Sequence, residues 1–276
     1  MTTSSLDTIK AREESLLCRT YGRYPVSIAS GKGSRVTDLD GKEYVDLLAG
    51  IAATSLGHCN EEIAQVIEKQ ARKLIHVSNL FYQEEQLELA EELLSLSHFG
   101  KAFFCNSGAE ANECAIKIAR KYSFDKYGKG RSNIITLVNS FHGRTLCTLS
   151  ATGQDVFHNY FFPFTEGFRY AAPNDIDALK AQAGDDVCAV MLELVQGEGG
   201  VVALDADYVA KVAEFCKKRD LVLIVDEVQT GVGRTGRFLA CEHFDLHPDI
   251  VTLAKGLGGG LPIGAVLMTA KVAEHM

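Results

Sequence analysis

Six stretches of this chain are four or five residues long and almost wholly apolar. They are Ala102–Cys105, Ile134–Val138, Cys188–Leu192, Leu221–Val225, Ile250–Ala254 and Gly264–Met268. A strand with no polar face has to be covered on both sides, and a mostly parallel sheet between two layers of helices meets that demand. The intervening segments supply the helices. Ala111, Cys114, Ala115, Ile118, Ala119 and Tyr122 recur at i, i+3, i+4, i+7 spacing, as do Val209, Val212, Ala213 and Cys216, and Ile63, Val66, Ile67 and Leu74 suit one face of another helix. Residues 26–47 differ: Val26–Ser30, Arg35–Thr37 and Glu43–Leu47 read as short strands, with turns at Gly31-Lys32-Gly33 and Asp40-Gly41. The expected fold is α/β, a mostly parallel sheet with helices on both faces, preceded by a small β-rich N-terminal segment.

Charge and cysteine usage narrow the function. Asp and Glu outnumber Lys and Arg by 36 to 28, and without a long basic run the chain has no general attraction for nucleic acid. Its eight cysteines form no C-x-x-C and several sit in apolar runs, where a thiol acts as a small hydrophobe; a reduced, cytoplasmic setting is expected. The N-terminal MTTSSLDTIKAREES lacks the apolar core of a signal peptide, and no apolar run reaches the roughly 18 residues of a membrane span, so no membrane partner is expected.

In open α/β sheets ligands bind beyond the carboxyl ends of the strands, so the residues after each apolar run carry the candidate chemistry. Asn106-Ser107-Gly108-Ala109-Glu110 leads from a strand into a helix and offers free N–H groups to a phosphate; Ser107-x-x-Glu110 is equally a capping box that uses those donors internally. Asp226-Glu227 ends a strand in two acids, but without a G-x-x-x-x-G-K-[ST] loop a nucleoside triphosphatase is not expected, leaving a solvated strand end or a carboxylate aimed at a cationic ligand group. Gly231–Gly236 spells a dinucleotide fingerprint five residues too far from its strand, and reads as a glycine loop. Cys241, His243 and His247 lack metal-site spacing, so no metal is expected, and no G-x-S-x-G is present. Lys255 closes the run Ile250–Ala254 ahead of Gly256-Leu257-Gly258-Gly259-Gly260. It reads either as a surface lysine in a glycine loop or, if desolvated, as a nucleophile toward carbonyls. A phosphate cradle, a strand-end acid and such a lysine are together what holding pyridoxal 5′-phosphate requires.

At these residues the sequence resembles the class III (subgroup II) pyridoxal-phosphate aminotransferases of fold type I. The resemblance runs from about Tyr21 to the end. Its stretches are DLDGKEYVDLLAGIAATSLGH, HVSNLFYQEEQLELAEEL, NSGAEANECAIKIAR, SFHGRT, LVQGEGGV, DEVQTGVGRTG and AKGLGGGLPIGAV. It implies that Lys255 forms the internal aldimine and moves protons, and that Asp226 pairs with the protonated pyridine nitrogen. Ser107, Gly108 and Ala109 would hold the phosphate, Phe141 would stack on the ring, and Gln229 would reach the phenolic oxygen. Arg144 would clamp the substrate α-carboxylate. Glu198 would help switch between amine donor and 2-oxoglutarate, or is simply a turn residue in a Gly-rich loop.

HVSNLFY and the arginine of SFHGRT point, within this family, to N2-acetylornithine as donor and 2-oxoglutarate as acceptor, a step of arginine biosynthesis carried out by a homodimer. The open alternatives are another ω-amine (succinylornithine, ornithine or 4-aminobutyrate), an aminomutase, or a cofactor-domain fragment without activity. Leu194 stands where the family usually has proline. The family also continues past the position of Met276 with a Gly-Ser-Thr-Phe segment and a C-terminal small domain. The resemblance therefore implies residues 1–50 as the N-terminal segment of the small domain, residues 51–276 as the large cofactor-binding domain, and a chain truncated at its C-terminus.

Overall fold

The computed structural model describes residues 5–276; the first four residues of the polar N-terminal stretch lie outside the described residues. The chain divides into two compact units, Met1–Leu80 and Phe81–Met276.

The first unit contains α1 (Leu6–Leu16), β1 (Ile28–Lys32), β2 (Arg35–Asp38), β3 (Glu43–Val45), the short α2 (Ala49–Ala52) and α3 (Glu61–Lys73). The strands form an antiparallel sheet in the order β1-β2-β3. The expected Gly31-Lys32-Gly33 turn is corrected. Gly31 and Lys32 belong to β1, Lys32 pairs with Arg35, and the turn is Gly33-Ser34, where Gly33 takes φ 57°. Gly31 has to be small because a Cβ there would come within 2.9 Å of the His58 ring. The second turn falls where expected: Asp38 Oδ1 accepts from the backbone N–H of Asp40 and Lys42, and Gly41 takes φ 81°. Helix α3 forms behind an Asn60 cap. Its apolar face stays open, with Val66 65% exposed, and Leu47 and Ile75 are likewise exposed.

The second unit is built on a seven-stranded sheet. Its strands are β4 (Lys101–Cys105), β5 (Asn133–Leu137), β6 (Phe168–Ala171), β7 (Val187–Leu192), β10 (Val222–Asp226), β11 (Ile250–Leu253) and β12 (Gly264–Met268); β8 (Val195–Gln196) and β9 (Val202–Ala203) form a separate hairpin. The order is β4-β12-β11-β10-β7-β5-β6, and β12 alone runs antiparallel to its neighbours. All six expected strands are present, within a residue or two at each end. The edge strand β6 had no sequence signal, because Phe-Arg-Tyr-Ala is neither wholly apolar nor alternating.

Helices α4 (Glu84–Ser95), α5 (Gly108–Tyr127), α6 (Leu146–Ala151), α7 (Ile176–Gln182), α8 (Ala206–Arg219) and α9 (Ala270–Ala273) complete the unit. Alternation along the strands sorts the core into two layers. Leu223 and Val225 of β10 join the cluster that holds Val209, Val212 and Cys216 of α8. Val222 and Ile224 join the one that holds Ala111, Ala115, Ile118 and Ala119 of α5. The next residue with the parity of Val222 and Ile224 is Asp226, which therefore emerges at the strand end on the α5 side. By the same count Thr252 of β11, paired with Asp226, shares that side with Ile250.

Candidate active site

The sequence-derived residues of the second unit gather where β4, β7, β10 and β11 end. Ser107 caps α5, accepting the Glu110 N–H at 3.2 Å, but the Glu110 carboxylate accepts the N–H of Asn106, one residue before the cap, at 2.6 Å, so only half of the expected capping box forms. It does not consume the whole turn. Ala111 N–H bonds back to the Ser107 carbonyl, and the N–H groups of Gly108 and Ala109 have no partner among the described residues. Two free donors at the positive end of a 20-residue helix make an anion cradle. Its walls are tight: a Cβ on Gly108 would lie 2.7 Å from Val228, and one on Gly143 would lie 2.8 Å from the Ala109 Cβ. The SFHGRT loop is thereby packed against the cradle.

Asp226 is buried and hydrogen-bonded at both oxygens. Oδ2 accepts from Asn112 Nδ2 at 2.7 Å and from His142 Nδ1 at 2.8 Å, whereas among the described residues Oδ1 accepts only the Val228 N–H, at 3.0 Å. Oδ1 thus keeps the capacity to meet a ligand. Thr252 Oγ1 donates to Asn112 Oδ1 at 2.8 Å, which fixes the amide orientation, and Asn112 Nδ2 also donates to the His142 carbonyl. Asn112, His142 and Thr252 were not singled out from sequence. A polar residue beside Ala111 on the buried face of α5 was the available signal for Asn112.

Lys255 opens a short turn after β11 with φ 46°, left-handed for a residue that is not glycine. Burial lowers its pKa below the usual 10.5, and the carboxylates of Asp226, Glu198 and Glu193 offset only part of that, so its amine gives up a proton more readily than a solvated lysine. Glu198 is thus placed near Lys255, in the loop of the β8–β9 hairpin. Glu193, a further missed residue, directly follows β7. It is buried, accepts the Phe141 N–H at 2.9 Å, and burial pushes its pKa from 4.5 to about 7.

Phe141 is thus tied by its backbone to the floor of the site, and its ring lies edge-on to Phe157 at 5.8 Å. The Arg144 guanidinium sits 5.7 Å from the Phe141 ring centroid. Gln229 packs so closely on Gly197 that a Cβ there would overlap its side-chain oxygen. Glu227, by contrast, is structural: its carboxylate accepts the Ala240 and Cys241 N–H groups at the start of a 3₁₀ turn. His243 bonds the Thr235 carbonyl, and His247 packs edge-on against His98. All eight cysteines are free thiols, and no described helix is long and apolar enough to cross a membrane.

These residues fit a phosphorylated pyridine aldehyde. The cradle suits its phosphate, Asp226 Oδ1 its ring nitrogen, and the desolvated Lys255 its carbonyl.

Comparison with known proteins points the same way. The aminotransferase class-III family model matches residues 17–276. An acetylornithine aminotransferase of Haemophilus ducreyi is 53% identical over 98% of this chain and 69% of its own length. The crystal structure of an ornithine aminotransferase from Toxoplasma gondii superposes with a TM-score of 0.95 at 35% identity, over all of this chain and 66% of that one. An N-acetylornithine aminotransferase from Stenotrophomonas maltophilia matches at 42% identity and a TM-score of 0.81, over 96% and 66%. Another structure of the Toxoplasma enzyme carries pyridoxal phosphate at partial occupancy in its active site. The chain spans 64% to 69% of the length of three curated relatives named acetylornithine aminotransferase. With this fold and this family match over nearly its whole length, the chain belongs to the class-III aminotransferases.

Proposed function

We propose that this chain is the cofactor-binding part of an enzyme that moves the side-chain amino group of N2-acetylornithine to 2-oxoglutarate. The observation that carries the reading is the pairing, on adjacent parallel strands, of a buried acid with one free acceptor at the end of β10 and a desolvated left-handed lysine just beyond β11. Bound pyridoxal phosphate supplies the electron sink for the reaction. The chain's own residues bind and orient. Ser107 and the Gly108 and Ala109 N–H groups hold the phosphate, Asp226 holds the ring nitrogen protonated, Phe141 covers the ring, and Gln229 reaches the phenolic oxygen. Arg144 is a planar bidentate donor for the substrate carboxylate. Lys255, its pKa lowered by burial, takes and returns the substrate proton, and Glu198 beside it assists the exchange of donor for 2-oxoglutarate. On this reading the protein is a cytoplasmic homodimer of arginine biosynthesis with small-molecule substrates only.

The donor assignment draws on the relatives named acetylornithine aminotransferase, at 47% to 53% identity. Ornithine is the second reading, favoured by the TM-score of 0.95 with an ornithine aminotransferase. The test is the visible spectrum of the chain with pyridoxal phosphate. The expected result is a band absent from Lys255→Ala and bleached fastest by N2-acetylornithine among N2-acetylornithine, N2-succinylornithine, ornithine and 4-aminobutyrate. A band independent of Lys255 refutes the site, and faster bleaching by another amine refutes the donor.

A further inference from the structure

Two side-chain donors converge on one oxygen of Asp226, and they differ in kind. Asn112 is neutral at every pH; His142 is not. The His142 ring is buried, with Nδ1 2.8 Å from Asp226 Oδ2 and Nε2 without a partner among the described residues. Its backbone is held by a bond from its N–H to Thr152 Oγ1 at 3.0 Å and by the Asn112 amide on its carbonyl at 2.8 Å. The ring therefore cannot swing to find a second acceptor without giving up Asp226.

The charged groups that face the imidazole are Asp226 from β10 and Glu193 from the end of β7. Lys255, beyond β11, faces the same two carboxylates. Burial disfavours the imidazolium, but Asp226 in contact and Glu193 nearby outweigh it, and His142 titrates above its ordinary 6.5. That balance depends on Asp226 having no other cation to serve. A cation at Oδ1, which holds only the Val228 N–H among the described residues, shares the same carboxylate in a desolvated site, and the weakest proton there is the one on Nε2, which has no acceptor among them.

We propose that His142 is the proton-exchanging partner of Asp226. It holds its second proton more tightly while Asp226 faces no other cation, and gives it up more readily, keeping the Nδ1–H donated to Asp226, once a protonated ring nitrogen pairs with Oδ1. This positioning role rests on pyridoxal phosphate being the ligand. The balance is one proton: the ligand ring arrives as a pyridinium, His142 gives its Nε2 proton to water, and the net charge of the cluster is unchanged.

The test uses the chain labelled with ¹³C,¹⁵N-histidine, with and without pyridoxal phosphate, between pH 6.5 and 8. The His142 signals are those lost in His142→Asn, whose neutral amide stands in for Nδ1–H. At a given pH they are expected to be more imidazolium in the free chain and more neutral in the loaded one. In weak buffer the native chain is expected to release more protons per cofactor bound than His142→Asn, up to one, and cofactor affinity in the native chain to rise up to tenfold more per pH unit. An unchanged His142, or equal proton release, overturns the proposal. If His142→Asn does not fold, the native spectrum decides, since no change of state among the eight histidines also overturns it. A Lys255-dependent band with an unchanged His142 defeats this proposal alone, and no band in the native chain defeats it together with the cofactor reading.

Discussion

Replacing Glu193 by glutamine is expected to make the chain more stable at alkaline pH and not at acid pH. The carboxyl follows β7, is 6% exposed, and takes one hydrogen bond, from the Phe141 N–H. Burial raises its pKa from 4.5 to about 7, His142 and Lys255 pull it down, and Asp226 pushes it up. A raised carboxyl pKa means that folding favours the protonated form. Below pH 4.5 both states are protonated and the group costs nothing. Between 4.5 and about 7 the unfolded chain ionises and the folded one resists, and above 7 the penalty is constant. At 1.36 kcal/mol per pH unit the gap of about 2.5 amounts to about 3 kcal/mol. Glutamine keeps the shape and an acceptor for Phe141 and carries no charge to bury. Urea unfolding of both proteins at pH 4.5 and pH 8.5 reads the effect. The stability difference, variant minus native, should be larger by about 3 kcal/mol at pH 8.5. A difference that is the same at both pH values, or larger at pH 4.5, would refute the placement of a desolvated carboxyl against Asp226.

Two further outcomes probe other parts of the second unit. Asp220 ends α8 in a left-handed conformation and accepts from Tyr122, Lys126 and Tyr127, with Lys271 3.4 Å away; these partners hold its pKa well below 3.8 despite burial. Asp220→Asn should cost about 2 kcal/mol at pH 7, and because the stabilisation from a lowered carboxyl pKa is full above 3.8 and lost progressively as pH falls toward the folded-state value, the gap in urea midpoints should shrink as pH falls below 3.8. Gly264→Ala puts a Cβ 2.3 Å from the Ser107 carbonyl oxygen, so thermal unfolding should show a loss of about 1–3 kcal/mol together with weaker binding of pyridoxal phosphate; unchanged binding would separate the cradle from β12.

The runs Val187–Leu192 and Val222–Asp226 show why the sheet was legible in the sequence. A strand buried on both faces is mostly apolar and keeps a polar residue only where a partner or the strand end receives it, so its composition declares it. The first helical turn after β4 declared itself through Ser107, Gly108 and Ala109, and Lys255 through the glycines that follow it. Edge strand β6 was invisible because its half-exposed residues answer to neighbours, not to burial. The turn expected at Gly31–Gly33 moved because ladder pairing of Lys32 with Arg35 outweighed the local preference of glycine.

The sequence by itself determined the α/β architecture, the ends of the central strands and which polar residues stand just beyond them, because periodicity and strand-end position are local properties. Only the tertiary structure decided that Asp226 Oδ2 takes two side-chain donors while Oδ1 takes one backbone N–H, and that Asn112, 114 positions away, aims its amide at that carboxylate. It also decided that Glu193 is buried among three titratable groups and that His142 has one partner and not two. Those facts depend on side chains from four strand ends and one helix meeting in a desolvated space, and the strength and sign of such contacts depend on distance and burial that no one segment of the chain contains.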